Sequence, residues 1–187
     1  MIRSKKDLKF YLEEDFKRFT HKPLFFTRFL SSETYTIYRY FKNLRYLEFY
    51  TNNKKWYNRC FYYYYLLQHR RMCLKNLINV PPNCLGPGFY FVHPGFFRVN
   101  PDVRIGKNAT VLPNVLIGRR RPDLPANTTI GDNVYIATGV TILGPVKIGN
   151  NVTIAANSVV IKDIPDNCVV SGVPAKIIRK DGVKVDS

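Results

Sequence analysis

Aliphatic residues recur every six positions along the second half of the chain: Val99, Ile105, Val111 and Ile117, then Ile130, Ile136, Ile142, Ile148, Ile154 and Val160. Four residues later stands a second small or aliphatic side chain: Val103, Ala109 and Val115, then Val134, Val140, Val146, Val152, Ser158 and Ile164. A helix buries positions three and four apart and a half-buried strand alternates, so neither produces this period. Three residues after the anchors come Asp102, Asn108, Asn114, Asn133, Gly139, Asn151, Asn157 and Asp163, with Arg120 and Pro145 as exceptions. Asn, Asp and Gly tolerate the left-handed backbone of a tight corner. The pattern predicts a parallel β-helix, whose coils bury their apolar positions only by stacking on one another. A sandwich of short strands would instead space its turns at roughly 8–12 residues.

Two breaks interrupt the register. Leu85 and Phe91 stand six apart, but Phe97 to Val99 adds two residues, just after His93. Ile117 and Ile130 are 13 apart where 12 would keep register, which makes residues 119–127 a protruding loop. Insertions in a solenoid sit at corners, where function collects.

Ahead of the β-helix the period is helical. Ser4 as N-cap with Asp7 in the first turn opens a helix whose mostly apolar stripe runs through Leu8, Tyr11, Leu12, Asp15, Phe16 and Phe19 and which ends within residues 20–23. A second helix is expected over residues 33–50, through Tyr35, Tyr38, Phe41, Leu44 and Leu47. A third is expected over 54–77, through Trp56, Cys60, Tyr63, Tyr64 and Leu67. Pro81, Pro82 and Gly86 forbid further helix. The domains expected are therefore a helical one (1–78), a β-helix (79–179) and a loose tail (180–187).

Charge follows the same division. The chain has 29 Lys and Arg against 13 Asp and Glu, and residues 1–80 hold 17 of the basic and 6 of the acidic residues. The same stretch carries 21 of the aromatics. The plainer account of this composition is a helical domain with an aromatic core and a solvated basic face. Binding to an anionic membrane surface or an acidic polymer is the alternative, and no nucleic-acid-binding motif accompanies the charge. Cys60, Cys73, Cys84 and Cys168 form no close pair, which suits reduced thiols in a cytoplasmic protein and no metal site. Residues 1–19 mix Asp7, Glu13, Glu14 and Asp15 with lysines and read as neither signal nor transit peptide.

Only His21, His69 and His93 can exchange protons near neutrality. His21 falls between helices, and His69, beside Arg70 and Arg71, suits a solvated structural role. His93 sits in Phe91-Val92-His93-Pro94-Gly95, within the β-helix and next to a register break. In the loop, Arg119, Arg120 and Arg121 can hold a phosphate or carboxylate through forked hydrogen bonds, or serve only solubility.

From residue 79 to 180 the chain resembles the hexapeptide-repeat acyltransferases, and within them the serine acetyltransferase family. The most specific stretches are IGDNVYIATGVTILGPVKIGNNVTIAANSVV, from Ile130 to Val160, and Gly172-Val173-Pro174-Ala175-Lys176. The resemblance implies a mainly β protein with a left-handed parallel β-helix behind a small helical domain. It implies a homotrimer, with a dimer of trimers as an extension, active sites between subunits, and acetyl transfer from acetyl-CoA to a hydroxyl. The family's catalytic histidine matches His93, and its acetyl-CoA contacts match Thr138, Gly139, Ala155, Ala156, Pro174 and Lys176, with Arg179 nearby. Asn79, Asn100 and Asp123 join the three arginines as candidates for acceptor contacts.

Two departures concern the acceptor. The aspartate that orients the histidine in true serine acetyltransferases is matched by Ile78, and their second histidine, on the loop, is matched by Leu124-Pro125. A histidine following Gly86-Pro87-Gly88 resembles the serine-acetyltransferase-like enzymes of surface polysaccharide pathways. A sugar hydroxyl is accordingly the expected acceptor, with serine as the alternative, at the cytoplasmic face of a membrane or free of it. A reading of another class makes the β-helix a non-catalytic scaffold and the basic helices the working part.

Overall fold

Three successive anchors complete a triangular coil of 18 residues, so each strand finds its parallel partner one coil away: Phe97 pairs with Val115, Tyr135 with Thr153 and Thr141 with Val159. The computed structural model describes residues 1–19, 33–123, 125 and 127–185. One face holds β1 (Ile78–Asn79), β3 (Phe97–Val99), β6 (Val115–Arg119), β9 (Thr141–Gly144) and β12 (Val159–Val160). The second holds β4 (Arg104–Ile105), β7 (Thr129–Ile130) and β10 (Lys147–Ile148), extended by bridges from Leu85 to Ile105 and from Ile148 to Ile164. The third holds β2 (Tyr90–Phe91), β5 (Thr110–Val111), β8 (Tyr135–Ile136), β11 (Thr153–Ile154) and β13 (Cys168–Ser171).

The anchors point inward and are all buried, as are the residues four after them, Ser158 included. Asn108, Asn114, Asn133, Asn151 and Asn157 adopt φ of 55–65° and Gly139 adopts 73°, as the corner reading requires. Asp102 and Asp163 stay outside the left-handed region, while Asn83 and Asn167 enter it.

The register explains both breaks. Phe91 pairs with Val111 and Val99 with Ile117, so the corner holding His93 is two residues longer than the corner stacked on it. The second break is larger than the expected single surplus residue. Ile117 lies on the first face and Ile130, paired with Ile105, on the second; they are separated by one corner, and the surplus over a step of six is seven residues.

The helices are α1 (Lys5–Phe19), α2 (Glu33–Asn52) and α3 (Arg59–Asn76), the last preceded by a 3-10 turn at Trp56–Asn58. Ser4 caps α1 as expected, its Oγ accepting from Asp7 N at 3.0 Å while Asp7 Oδ2 accepts from Ser4 N at 2.8 Å. The expected end of this helix, and His21, lie outside the described residues. Ile37, Tyr40, Phe41 and Leu44 of α2 join the β-helix core, Phe41 packing on Phe89 and Phe91. The helices thus cover the first coil rather than building a core apart from it.

Two expectations fail on α3. The large apolar residues of this segment do not form a core: Trp56 in the 3-10 turn and Phe61, Tyr63, Tyr64, Leu67 and Leu74 in the helix are exposed. The helix leans on α2 through stacked pairs, Tyr46 on Tyr65 and Tyr50 on Phe61, and its other flank is exposed. His69 is not solvated but buried against Tyr40, and burial pushes its pKa down to about 4. The loose tail expected from Lys180 is instead ordered through Lys184: β14 (Lys176–Lys180) and β15 (Val183–Lys184) form a hairpin that continues the third face. No helix among the described residues is long and apolar enough to cross a membrane.

Candidate active site

The triangular coil has three edges, and the sequence places different chemistry on each. The edge between the second and third faces is structural. There Asn108 donates to Asn133, Asn133 to Asn151, Asn151 to Asn167 and Asn167 to Asp181, a side-chain ladder of 2.9–3.2 Å bonds running along the stack.

Its upper end is held by a buried charge cluster. Arg45 donates to Asp15 and Glu48, and also to the carbonyls of Leu85 and Gly86 at 2.9 and 2.7 Å. Asp15 accepts from the backbone N–H groups of Gly88 and Phe89. Burial works against the charge on Arg45, but the carboxylates of Asp15 and Glu48 override it and keep the guanidinium protonated. Burial also pushes the Glu48 carboxyl up, opposed by Arg45. The Gly86-Pro87-Gly88 turn is therefore clamped to α1 and α2 immediately ahead of the strand that leads to His93. In the sequence only Asp15, on the mostly apolar stripe of α1, hints at this cluster; Arg45 and Glu48 carry no such mark.

The edge between the third and first faces gathers the candidate chemistry. His93 occupies its first corner, Pro113 and Asn114 the next, then Thr138 and Gly139, then Ala155 and Ala156, and finally Gly172 to Ala175. Hydrogen bonds tie the corners together: Asn114 N donates to Phe96 O at 2.7 Å, Thr138 Oγ1 to Pro113 O at 2.9 Å, Asn157 N to Thr138 O at 2.9 Å and Ala175 N to Val159 O at 2.8 Å. Gly95 is required for the first of these contacts, because a β-carbon there would come within 2.8 Å of Pro113 Cβ. At Gly139 a β-carbon would collide with the Asn157 side chain, so this corner presents bare backbone. Lys176 and Arg179 are exposed on the adjoining hairpin.

His93 is about two-thirds exposed, and its Nδ1 lies 3.5 Å from Oε2 of Glu33, at the start of α2. Ile78, at the position the family gives to aspartate, is fully buried and pairs with Phe97 in the first face. Asn79 beside it is exposed.

The remaining candidates lie on the edge between the first and second faces. Arg119 reaches Asp102 and Pro122 O at 3.4 Å, Arg120 donates to Ile161 O, and Arg121 pairs with Asp123 at 2.7 Å. Asn100 Oδ1 accepts from Asp102 N and shapes the same edge. The three arginines are thus turned to separate partners rather than to one point, and within one chain they share no edge with His93. Leu124 and Ala126 lie outside the described residues.

Residues 127–162 match the model of the bacterial transferase hexapeptide family, described as six repeats. The chain is 43% identical over 108 residues to the serine acetyltransferase of Staphylococcus aureus (strain Mu50), covering 54% of this chain and 48% of that protein. Over these residues the β-helix is similar to the hexapeptide-repeat serine acetyltransferases. The crystal structure of the Neisseria gonorrhoeae serine acetyltransferase superposes with a TM-score of 0.69 at 25% identity, over 97% of this chain and 67% of that one. The Brucella abortus S19 serine acetyltransferase in complex with coenzyme A gives a TM-score of 0.76 at 24% identity, over 96% and 71%. These likenesses establish a left-handed parallel β-helix behind a small helical region. The chain spans about half the length of the curated serine acetyltransferases it matches.

Proposed function

We propose that this chain is an acetyl-CoA-dependent O-acetyltransferase with His93 as its general base. The observation that carries the proposal is the shared edge: His93 stands in line with the small corners Thr138, Gly139, Ala155 and Ala156 and with Pro174, and Lys176 and Arg179 lie at the far end. A pantetheine arm can lie close to backbone along small corners, and cations beyond it can face the phosphates of CoA. The acceptor hydroxyl gives its proton to His93 Nε2 as its oxygen attacks the thioester carbonyl. The new C–O bond forms, the C–S bond breaks, and the proton passes from the imidazolium to the departing thiolate. A backbone N–H is expected to stabilise the oxyanion.

The names of the relatives support serine as the acceptor, ahead of the sugar hydroxyl expected from the sequence. A sugar remains the second reading on one observation, the buried Ile78 where the resembling enzymes carry aspartate. Acetyl-CoA consumption measured against serine and a panel of free, nucleotide-linked and polymeric sugars separates them. His93→Ala should lose activity by roughly 10²–10⁴-fold, the usual contribution of a general base, and full activity in that variant overturns the assignment.

A homotrimer fits the same geometry, because only a neighbouring subunit can bring the Arg119 loop to the His93 edge. Contact of the exposed aromatic and basic side of α3 with anionic lipid is a compatible addition, and it requires salt-sensitive sedimentation with anionic vesicles.

A further inference from the structure

An imidazole is an effective base only if the proton it already carries sits on the nitrogen facing away from the substrate, and a hydrogen-bond acceptor on that side selects the tautomer. We propose that Glu33 is the positioning residue for His93: its carboxylate accepts from Nδ1–H, leaving the Nε2 lone pair for the acceptor hydroxyl. The inference rests on His93 being the base.

Among the described residues, Glu33 supplies the carboxylate within ion-pair distance of His93, at 3.5 Å from Nδ1. Ile78, fully buried in β1, has no oxygen to offer and faces the core. The role therefore passes from the first face to a helix laid over it. The backbones on both sides of the contact are anchored. The start of α2 is carried by a helix that Arg45 and Phe41 fasten to the first coil. The His93 corner follows Val92, whose N–H donates to Val111 O at 3.1 Å, and precedes Phe97, whose N–H donates to Leu77 O at 3.1 Å.

The two side chains themselves are 64% and 68% exposed, so a change of Glu33 rotamer can shorten the contact without moving backbone. Catalytic hydrogen bonds are often long before substrate binds and tighten in the complex. When Nε2 takes up the hydroxyl proton, the imidazolium faces an ionised carboxylate, which favours the charged intermediate.

Nitrogen-15 NMR of the imidazoles reads the tautomer directly, without any substrate, and the chain has only three histidines. Above the imidazole titration, His93 should be the Nδ1–H tautomer in the wild type and in Glu33→Asp, and should shift toward Nε2–H in Glu33→Gln. With acetyl-CoA and the acceptor identified by the panel, Glu33→Gln should lower kcat by roughly 10- to 100-fold, less than the roughly 10²–10⁴-fold that loss of the base itself costs, with the KM for acetyl-CoA held to about twofold. Glu33→Asp should recover most of that loss. An Nε2–H tautomer in the wild type, or a spectrum and kcat unchanged by Glu33→Gln, overturns the proposal. If His93→Ala is inactive while Glu33→Gln is unaltered, only the role of Glu33 falls; full activity of His93→Ala removes the base itself.

Discussion

Arg45 Nε donates to Asp15 Oδ2 at 2.8 Å, joining α2 to α1 with both side chains buried. Nη1 and Nη2 donate to the carbonyls of the turn ahead of His93, Nη1 also pairs with Glu48, and the remaining Asp15 oxygen accepts from the N–H groups of Gly88 and Phe89, so one buried cluster connects the helices to the strand that presents the base. Removing Asp15 or Arg45 takes away a buried counter-charge that water does not replace. Asp15→Ala or Arg45→Ala should cost about 3–5 kcal/mol, the usual penalty for breaking a buried pair. Denaturant unfolding measures it, and a loss below about 1 kcal/mol would show that the cluster is not buried in solution.

His69 should make stability depend on pH. Its folded pKa of about 4 lies below the ordinary 6.5 of a histidine because burial disfavours the imidazolium. The unfolded chain therefore binds the proton more readily, and stability present above pH 6.5 erodes as the pH falls toward about 4. The span corresponds to about 3 kcal/mol at 1.36 kcal/mol per unit. Urea titrations at intervals across that window should show the slope in the wild type and a much smaller one in His69→Gln.

Asn133 serves the edge ladder twice, donating to Asn151 and accepting from Asn108, from a left-handed φ of 57°. Asn133→Val combines a strained backbone with two lost bonds and should destabilise by about 2–3 kcal/mol. Asn133→Gly keeps the conformation and should cost less. Equal losses in thermal unfolding would mean that backbone strain is not the larger part.

Gly139 tests the cofactor edge separately from His93. Its φ of 73° and the adjoining Asn157 side chain leave no place for a β-carbon. Gly139→Ala should weaken coenzyme A binding by calorimetry on the order of 10-fold or more, and should reduce the ligand-induced rise in Tm that saturating coenzyme A gives the wild type. Unchanged affinity in a folded variant would move the ligand off this edge.

The sequence by itself determined the coil, the corners and the two interruptions, because a period of six leaves one way to bury Val99 through Val160, and because Asn and Gly mark where the backbone must turn. It also singled out His93 as the histidine at a break. It did not determine how long the second insertion is, since the count from Ile117 to Ile130 acquires meaning only when Ile130 is seen pairing with Ile105 across coils. Nor did it distinguish the core aromatics of α2 from the exposed aromatics of α3, whose compositions look alike; which flank is covered depends on what packs there. The carboxylate beside His93 was decided by tertiary structure alone. Glu33 and His93 are 60 residues apart, and only the docking of α2 on the first coil, through Arg45 and Phe41, brings them within reach.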